Sequence, residues 1–147
     1  MSTEDYLQKQ GQFYQALGTV EAVFLPGDSP ARGELVMQGQ HFTAWVRGVM
    51  LKHLCPGEAQ RLRVYPRFHK AESQWSFTII ALDNDQQSTP GEFLLKGNWL
   101  LVHQTPLLQV RQTRKGGKPF YLPLEWSEAP EPDAHFWMLQ CHFMAGK

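Results

Sequence analysis

The sequence has few of the features that mark secreted, membrane or redox-active proteins. It contains two cysteines, Cys55 and Cys141, which form no CxxC pair. No apolar run approaches the ~20 residues needed to cross a bilayer, and the polar residues 1–12 lack the apolar stretch of a signal peptide. We therefore expect a cytoplasmic protein without membrane association. Both thiols are expected to be reduced and buried, with a disulfide as the less favoured alternative.

Motifs for catalysis and metal binding are also missing. The sequence has no GxSxG, P-loop, GxGxxG or HExxH motif, and none of its six histidines has a neighbour at metal-ligand spacing. A zinc site from His135, His142 and a cysteine is a weak alternative, because such sites normally use closely spaced pairs. The segment 83–85 resembles the start of a calcium loop but lacks the later Gly and Glu. The sequence therefore predicts a protein that is not an enzyme and needs no cofactor or metal.

Length and composition suit one globular domain. The 147 residues are 42% hydrophobic and 12% aromatic, which is enough for an independent core. Lys and Arg together number 14, as do Asp and Glu, so net charge excludes no class of partner. The charges are nevertheless segregated, because 61–118 contains nine basic and four acidic residues, whereas 125–133 contains four acidic residues and no basic one. The neutral total can therefore conceal a basic and an acidic patch.

Short β-branched and aromatic stretches, separated by Gly, Pro, Asn and Asp, predict a mainly β protein. About eight strands and one or two short helices at this spacing indicate a sandwich or a small barrel. We expect a single domain over 1–147, with 1–17 as an N-terminal arm or helix and 125–134 as an acidic, Pro-rich loop. The predicted strands are 19–25, 33–37 continuing through a bend at Gly39 into 41–47, 62–68, 75–82, 92–102 interrupted at Gly97, 107–113, 119–124 and 135–143, with a helical turn at 49–54.

Two heptapeptides resemble each other, GELVMQG at 33–39 and GEFLLKG at 91–97. Each is followed by a tryptophan and later by a strand with the pattern Leu-x-Val. One hypothesis is a duplicated unit whose halves close a barrel, and the other is chance similarity between strands bent at glycine.

The segment 61–67 is the first candidate binding surface. Side chains alternate along a strand, so Leu62 and Val64 are expected in the core. The opposite face then displays three arginines and a tyrosine, which suit a phosphate backbone with a stacked base or, alternatively, a carboxylate-rich protein. Pro66 is expected to place this strand at a sheet edge or a bulge. The predicted contacts are Arg61, Arg63, Tyr65 and Arg67.

A predicted hairpin tip at 111–118 is the second candidate surface. Its Gly-Gly pair favours a tight turn, and four cations surround that pair. The tip is either a basic loop that binds a single nucleic-acid strand or a soluble loop whose charges prevent aggregation. The predicted contacts are Arg111, Arg114, Lys115 and Lys118, with Tyr121 as a stacking residue.

Trp45 is the third candidate. Alternation with Ala44 and Val46 places its side chain on the outer face near Arg47, where it is either a stacking platform or a cap on the end of the barrel. Trp75, in contrast, is expected in a core-facing row.

The order of strands and short helix over 17–124, with its basic and aromatic face, resembles an OB-fold barrel as found in single-strand-binding proteins. This resemblance implies a small, closed or partly open antiparallel barrel, and the strand at 135–143 is where a departure from it is expected. Separately, 93–99, the strand at Val110 and 118–126 are similar to a family of uncharacterised bacterial proteins, mainly from cyanobacteria. That similarity implies a single domain and points to no particular activity.

We therefore expect a binding module whose first candidate ligand is single-stranded RNA or DNA. The basic residues of the first two candidate surfaces would contact phosphates, and Trp45, Tyr65 and Tyr121 would stack on bases. A second hypothesis is a protein-interaction module or homodimer, in which the acidic loop meets the basic hairpin of another copy. A third is a small-ligand barrel with an aromatic internal pocket.

Overall fold

The computed structural model describes residues 15–83, 89–111, 118–125 and 136–143. The protein is mainly β, as predicted, and the described ranges contain nine strands and one 3₁₀ helix. The predicted N-terminal arm or helix lies outside these ranges, except that its last residues already belong to the first strand. The elements are β1 (Gln15–Pro26), β2 (Arg32–Met37), β3 (Gln40–Val46), η1 (Gly48–His53), β4 (Ala59–His69), β5 (Gln74–Leu82), β6 (Glu92–Val102), β7 (Thr105–Val110), β8 (Phe120–Pro123) and β9 (Phe136–His142).

The described residues form two compact units. The first, which we call the barrel unit, comprises 17–83, 89–93 and 140–143. The second unit comprises 15–16, 94–111, 118–125 and 136–139. The expectation of a single domain over the whole chain stays a prediction, and each unit is described by itself.

Strands β1 to β5 close into a five-stranded barrel. The strand order is β2-β3-β5-β4-β1, and β1 also pairs with β2, which closes the ring. The pairs are antiparallel except for β3 and β5, which run parallel. The helix η1 connects β3 to β4, at the position where the sequence predicts a helical turn. The predicted small barrel is thus confirmed.

Strands β2 and β3 form a tight hairpin, whereas the sequence predicts one long strand with a bend at Gly39. Met37 pairs directly with Gln40, so only Gln38 and Gly39 form the turn. Both turn residues have positive φ, 52° and 76° respectively, which is the backbone conformation of a type I′ turn. The expectation of a bulge is therefore wrong, because this conformation reverses the chain and makes the two halves neighbours in the sheet.

The barrel interior is filled by apolar side chains from all five strands. Phe143, which follows β9, adds its ring to the aromatic residues there, with ring centroids 5.3–6.1 Å from those of four neighbours. Edge-to-face and tilted contacts of this kind contribute about 0.5–1.5 kcal/mol each beyond area burial. Trp75, expected in a core-facing row, is half-buried and contacts the rings of Phe68 and Phe143. The interior residues with no solvent exposure are Leu35, Ala44, Leu62, Val64, Phe77 and Ile79.

The second unit is built on an antiparallel sheet in the order β6-β7-β8, and β9 also pairs with β6. Its buried residues include Trp99, Leu108 and Leu122, all at most 2% exposed. The strand β6 continues through Gly97, so the predicted interruption there is wrong. A Cβ at Gly97 would collide with the backbone oxygen of Gln109 on β7, which shows why this position has no side chain.

The two similar heptapeptides therefore end differently. Gly39 forms the turn of a hairpin, with φ of 76°, whereas Gly97 lies inside a continuous strand. The tryptophans that follow also differ, because Trp45 is 38% exposed and Trp99 is 2% exposed. These differences favour chance similarity over a duplicated unit.

The two cysteines are free, but they are not both buried. Cys55 is exposed, which corrects the prediction for that residue, and Cys141 is partly buried. Burial raises the pKa of the Cys141 thiol. Among the described residues there is no group of three His, Cys, Asp or Glu side chains placed to hold a metal ion. Helices long and apolar enough to cross a membrane do not occur in that part of the chain either.

Candidate functional site

Strand β4 carries the basic face that the sequence predicts. Leu62 and Val64 are fully buried, and Arg63 between them is exposed. Arg61, Tyr65 and Arg67 are partly exposed and share the parity of Arg63. Arg67 is held back against its own strand, since Nη1 donates to the backbone oxygen of Pro66 at 3.0 Å. The alternation thus places all four residues on the outside of the barrel, and their role in binding stays a prediction.

Pro66 does not make β4 an edge strand. The strand lies between β1 and β5, and Pro66 is buried opposite Phe77 of β5. Proline has no backbone N–H to donate to a neighbouring strand. It is tolerated at position 66 because the pairing of β4 with β1 covers Ala59–Val64 and ends two residues before Pro66. An irregularity in the β4–β5 register occurs between Arg63 and Val64, not at the proline.

Four strands place one outward residue each in a single row around the barrel. Arg32 pairs with Trp45, and Trp45 pairs with Thr78 of the parallel strand β5. Thr78 in turn pairs with Tyr65 on its other side. We call these four residues the aromatic row. Because adjacent strands lie about 4.8 Å apart, the backbones of Trp45 and Tyr65 are separated by about 10 Å.

Trp45 is the most distinctive member of this row. Its side chain lies outside the barrel, as predicted, and is 38% exposed, while Ala44 and Val46 point inward. The Arg32 guanidinium lies 5.6 Å from the centroid of the indole, a cation–π contact. Sequence reasoning paired Trp45 with its neighbour Arg47 and missed Arg32. Only the hairpin register brings Arg32 beside the ring, and no local pattern indicates it.

The surface next to the aromatic row is not uniformly basic. Glu34, two residues after Arg32 on β2, lies within hydrogen-bond distance of His41 on β3, with 3.3 Å between Oε1 and Nδ1. Both side chains are 54% exposed, so the pair contributes little to stability. Glu34 therefore places an acidic group on the same exposed face of β2 as Arg32, two residues along the strand.

A serine–histidine pair on β4 and β5 was not predicted from the sequence. Nε2 of His69 lies 2.7 Å from Oγ of Ser76, a distance typical of a nucleophile and its base. Ser76, however, is only 2% exposed, so a substrate has no access to its hydroxyl. The contact satisfies a buried hydroxyl and holds the end of β4 against β5.

In the second unit, three polar side chains form a hydrogen-bonded row across β6, β7 and β8. Nδ2 of Asn98 donates to Oε1 of Gln109 at 3.2 Å, and Nε2 of Gln109 donates to the Tyr121 hydroxyl at 3.1 Å. The three residues are directly opposite one another in the sheet register. We call this chain the amide ladder. It ends at Tyr121, which is 41% exposed.

The predicted binding residues are divided between the two units. The barrel unit contains Trp45 and the four residues of β4, and the second unit contains Arg111, Lys118 and Tyr121, all three exposed. Arg114 and Lys115 lie outside the described residues, as does the acidic loop beyond Glu125. The homodimer hypothesis, which depends on that loop, therefore stays a prediction.

Comparison of the chain with models of protein families, with curated proteins and with solved structures found no match. The aromatic row and the amide ladder are therefore the features of the chain that bear on its function.

Proposed function

We propose that the barrel unit binds single-stranded RNA or DNA on the outer surface that carries the aromatic row. The strand order of this closed five-stranded barrel, with a helical turn between β3 and β4, resembles that of an OB fold, and OB folds bind oligonucleotides on their β2–β3 face. In this chain that face bears Trp45 and Arg32. The observation that carries the proposal is the exposed Trp45 ring, in contact with the Arg32 guanidinium and in one row with Tyr65.

The exposure of Trp45 favours a stacking role over a structural one. An indole that is 38% exposed leaves apolar area in water, and a stacked base would cover that area. Stacking of one base on an aromatic side chain stabilises a complex by about 1–3 kcal/mol, whatever the base. The guanidinium beside the ring adds a cation for the phosphate of the same nucleotide.

The distance between Trp45 and Tyr65 in the aromatic row favours single-stranded over double-stranded nucleic acid. Trp45 and Tyr65, about 10 Å apart, can each accept one base, with Thr78 between them. Bases of a duplex are stacked on each other and do not offer a free face to either ring. Arg63, exposed on β4 two residues before Tyr65, supplies charge for the backbone.

The proposal is tested by fluorescence anisotropy with short labelled oligothymidine and oligouridine at about 50 and 200 mM salt. We expect binding that weakens with salt, by about 0.7 in log Kd per log salt for each phosphate contact. Trp45→Ala is expected to weaken binding about 5- to 100-fold, since one stacked base is lost. Trp45→Phe keeps a ring and should retain most of the affinity.

Val49→Ala is the matched control, because Val49 is an apolar residue, 72% exposed on η1, that does not belong to the row. It should bind like the unmodified protein. Absence of binding at low salt by the folded protein would contradict the proposal, and so would equal affinity of Trp45→Ala and the unmodified chain.

A further inference from the structure

The amide ladder of the second unit gives the Tyr121 hydroxyl a defined direction. Each amide in the chain donates to the next residue, from Asn98 to Gln109 and from Gln109 to Tyr121. The phenol oxygen therefore accepts from Gln109. Its own proton then lies away from the ladder, in the plane of the ring, and is available to an acceptor outside the sheet.

The hydrogen bonds of the ladder reinforce one another. Asn98 is only 9% exposed, so the first bond of the series is partly buried, and partial burial strengthens a hydrogen bond relative to one in water. The last member, Tyr121, is 41% exposed and can reach a ligand. Because the ladder begins at the buried Asn98 and ends at the exposed Tyr121, it holds the Tyr121 hydroxyl in a fixed, outward position.

Two cations flank the end of the β7–β8 pairing, on the same pair of strands as Tyr121. Val110 and Phe120 form the last pair of the β7–β8 register. Arg111 follows Val110 directly, and Lys118 precedes Phe120 by two residues, and both side chains are exposed. A hydroxyl donor on a strand pair that carries two exposed cations at its end suits an anionic oxygen better than the edge or face of a base.

From this geometry we infer that Tyr121 donates a hydrogen bond to a phosphate oxygen, with Arg111 and Lys118 supplying the compensating charge. Tyr121 is then a phosphate contact and not the stacking residue that the sequence predicts. The identity of the phosphate as part of a nucleic acid rests on the proposed function of the barrel unit. The direction of the hydroxyl does not depend on it.

Tyr121→Phe in the full chain separates these roles, because it keeps the ring and removes the donor. Binding is measured by anisotropy with labelled oligothymidine and with an abasic oligomer that has the same phosphodiester backbone. We expect Tyr121→Phe to weaken binding of both oligomers by the same factor, about 10- to 100-fold, as one charge-assisted hydrogen bond is lost. Trp45→Ala should weaken binding of oligothymidine only. Circular dichroism and the melting temperature of both variants confirm the fold.

A second readout is the side-chain amide resonances of Gln109 and Asn98 during titration with inorganic phosphate. If they shift while the protein binds neither oligomer, the proposed function fails and the site binds free phosphate. If Tyr121→Phe binds the abasic oligomer as tightly as the unmodified protein, the inference is overturned while the barrel proposal stands. A loss confined to oligothymidine also overturns it, since that result assigns Tyr121 to stacking.

Discussion

The aromatic row and the amide ladder are both built from residues directly opposite each other on neighbouring strands, but different interactions hold them. In the row, Trp45 is positioned by the strand register and by its contact with Arg32. In the ladder, each side chain is fixed by a hydrogen bond to the next. The row presents a ring face, which in the proposed function accepts any base, whereas the ladder presents one hydroxyl proton in one direction.

This difference determines which substitutions each surface tolerates. Stacking depends on the area and polarisability of a ring, so another aromatic residue at position 45 preserves much of the interaction. A hydrogen-bond chain depends on the identity and order of donors and acceptors, so a single change at position 109 or 121 interrupts it.

The largest effects are expected in the core beneath each surface. Phe77 is fully buried next to Thr78 of the row, and Leu122, 1% exposed, is next to Tyr121 of the ladder. Phe77→Ala should destabilise the protein by about 3–5 kcal/mol and Leu122→Ala by about 2–5 kcal/mol, because each creates a cavity. Urea unfolding followed by circular dichroism measures both. A loss below about 1 kcal/mol for either variant would show that the side chain is not tightly packed.

Intermediate effects are expected at the glycines that end the two similar heptapeptides. Gly97→Ala forces a methyl group into the backbone of Gln109, so β6 and β7 must separate, at a cost of about 1–3 kcal/mol. Gly39→Ala meets no neighbouring atom and should cost about 1–2 kcal/mol, from its positive φ alone.

Nuclear magnetic resonance spectra of the side-chain amides in these two glycine variants test whether the ladder depends on the close approach of β6 and β7. Gly97→Ala should shift the side-chain resonances of Gln109 in the ladder, and Gly39→Ala should leave them unchanged. If both variants shift them equally, the ladder does not depend on the close approach of β6 and β7.

The smallest effect concerns the thiols, which both lie in the barrel unit. Because burial raises the pKa of Cys141, less thiolate is present at any given pH than in an ordinary thiol. The rate of alkylation of Cys141 should therefore reach half its maximum at a higher pH than that of free N-acetylcysteine. Mass spectrometry after iodoacetamide treatment over a pH series measures the midpoint. A midpoint at or below that of the free thiol would contradict burial of Cys141.

The alternation of inward and outward side chains along the strands predicted part of the candidate site. It correctly placed Leu62 and Val64 inside and Arg63 outside, and it placed Trp45 on the outer surface. These are local consequences of the two-residue period of a strand. The same reasoning missed the row, because Arg32, Thr78 and Tyr65 come beside Trp45 only through a hairpin turn and a parallel crossover between β3 and β5.

The sequence by itself determined the mainly β class and the exposed or buried side of individual strand residues, since these depend on local patterns of apolar and turn residues. The small barrel was implied by a resemblance and not by those patterns alone. Only the tertiary structure decided which strands are neighbours, which side chains share a row, and that Gly39 turns the chain while Gly97 does not. The physical reason is that strand pairing is set by long-range packing and backbone register. Neither is recorded in any short stretch of sequence.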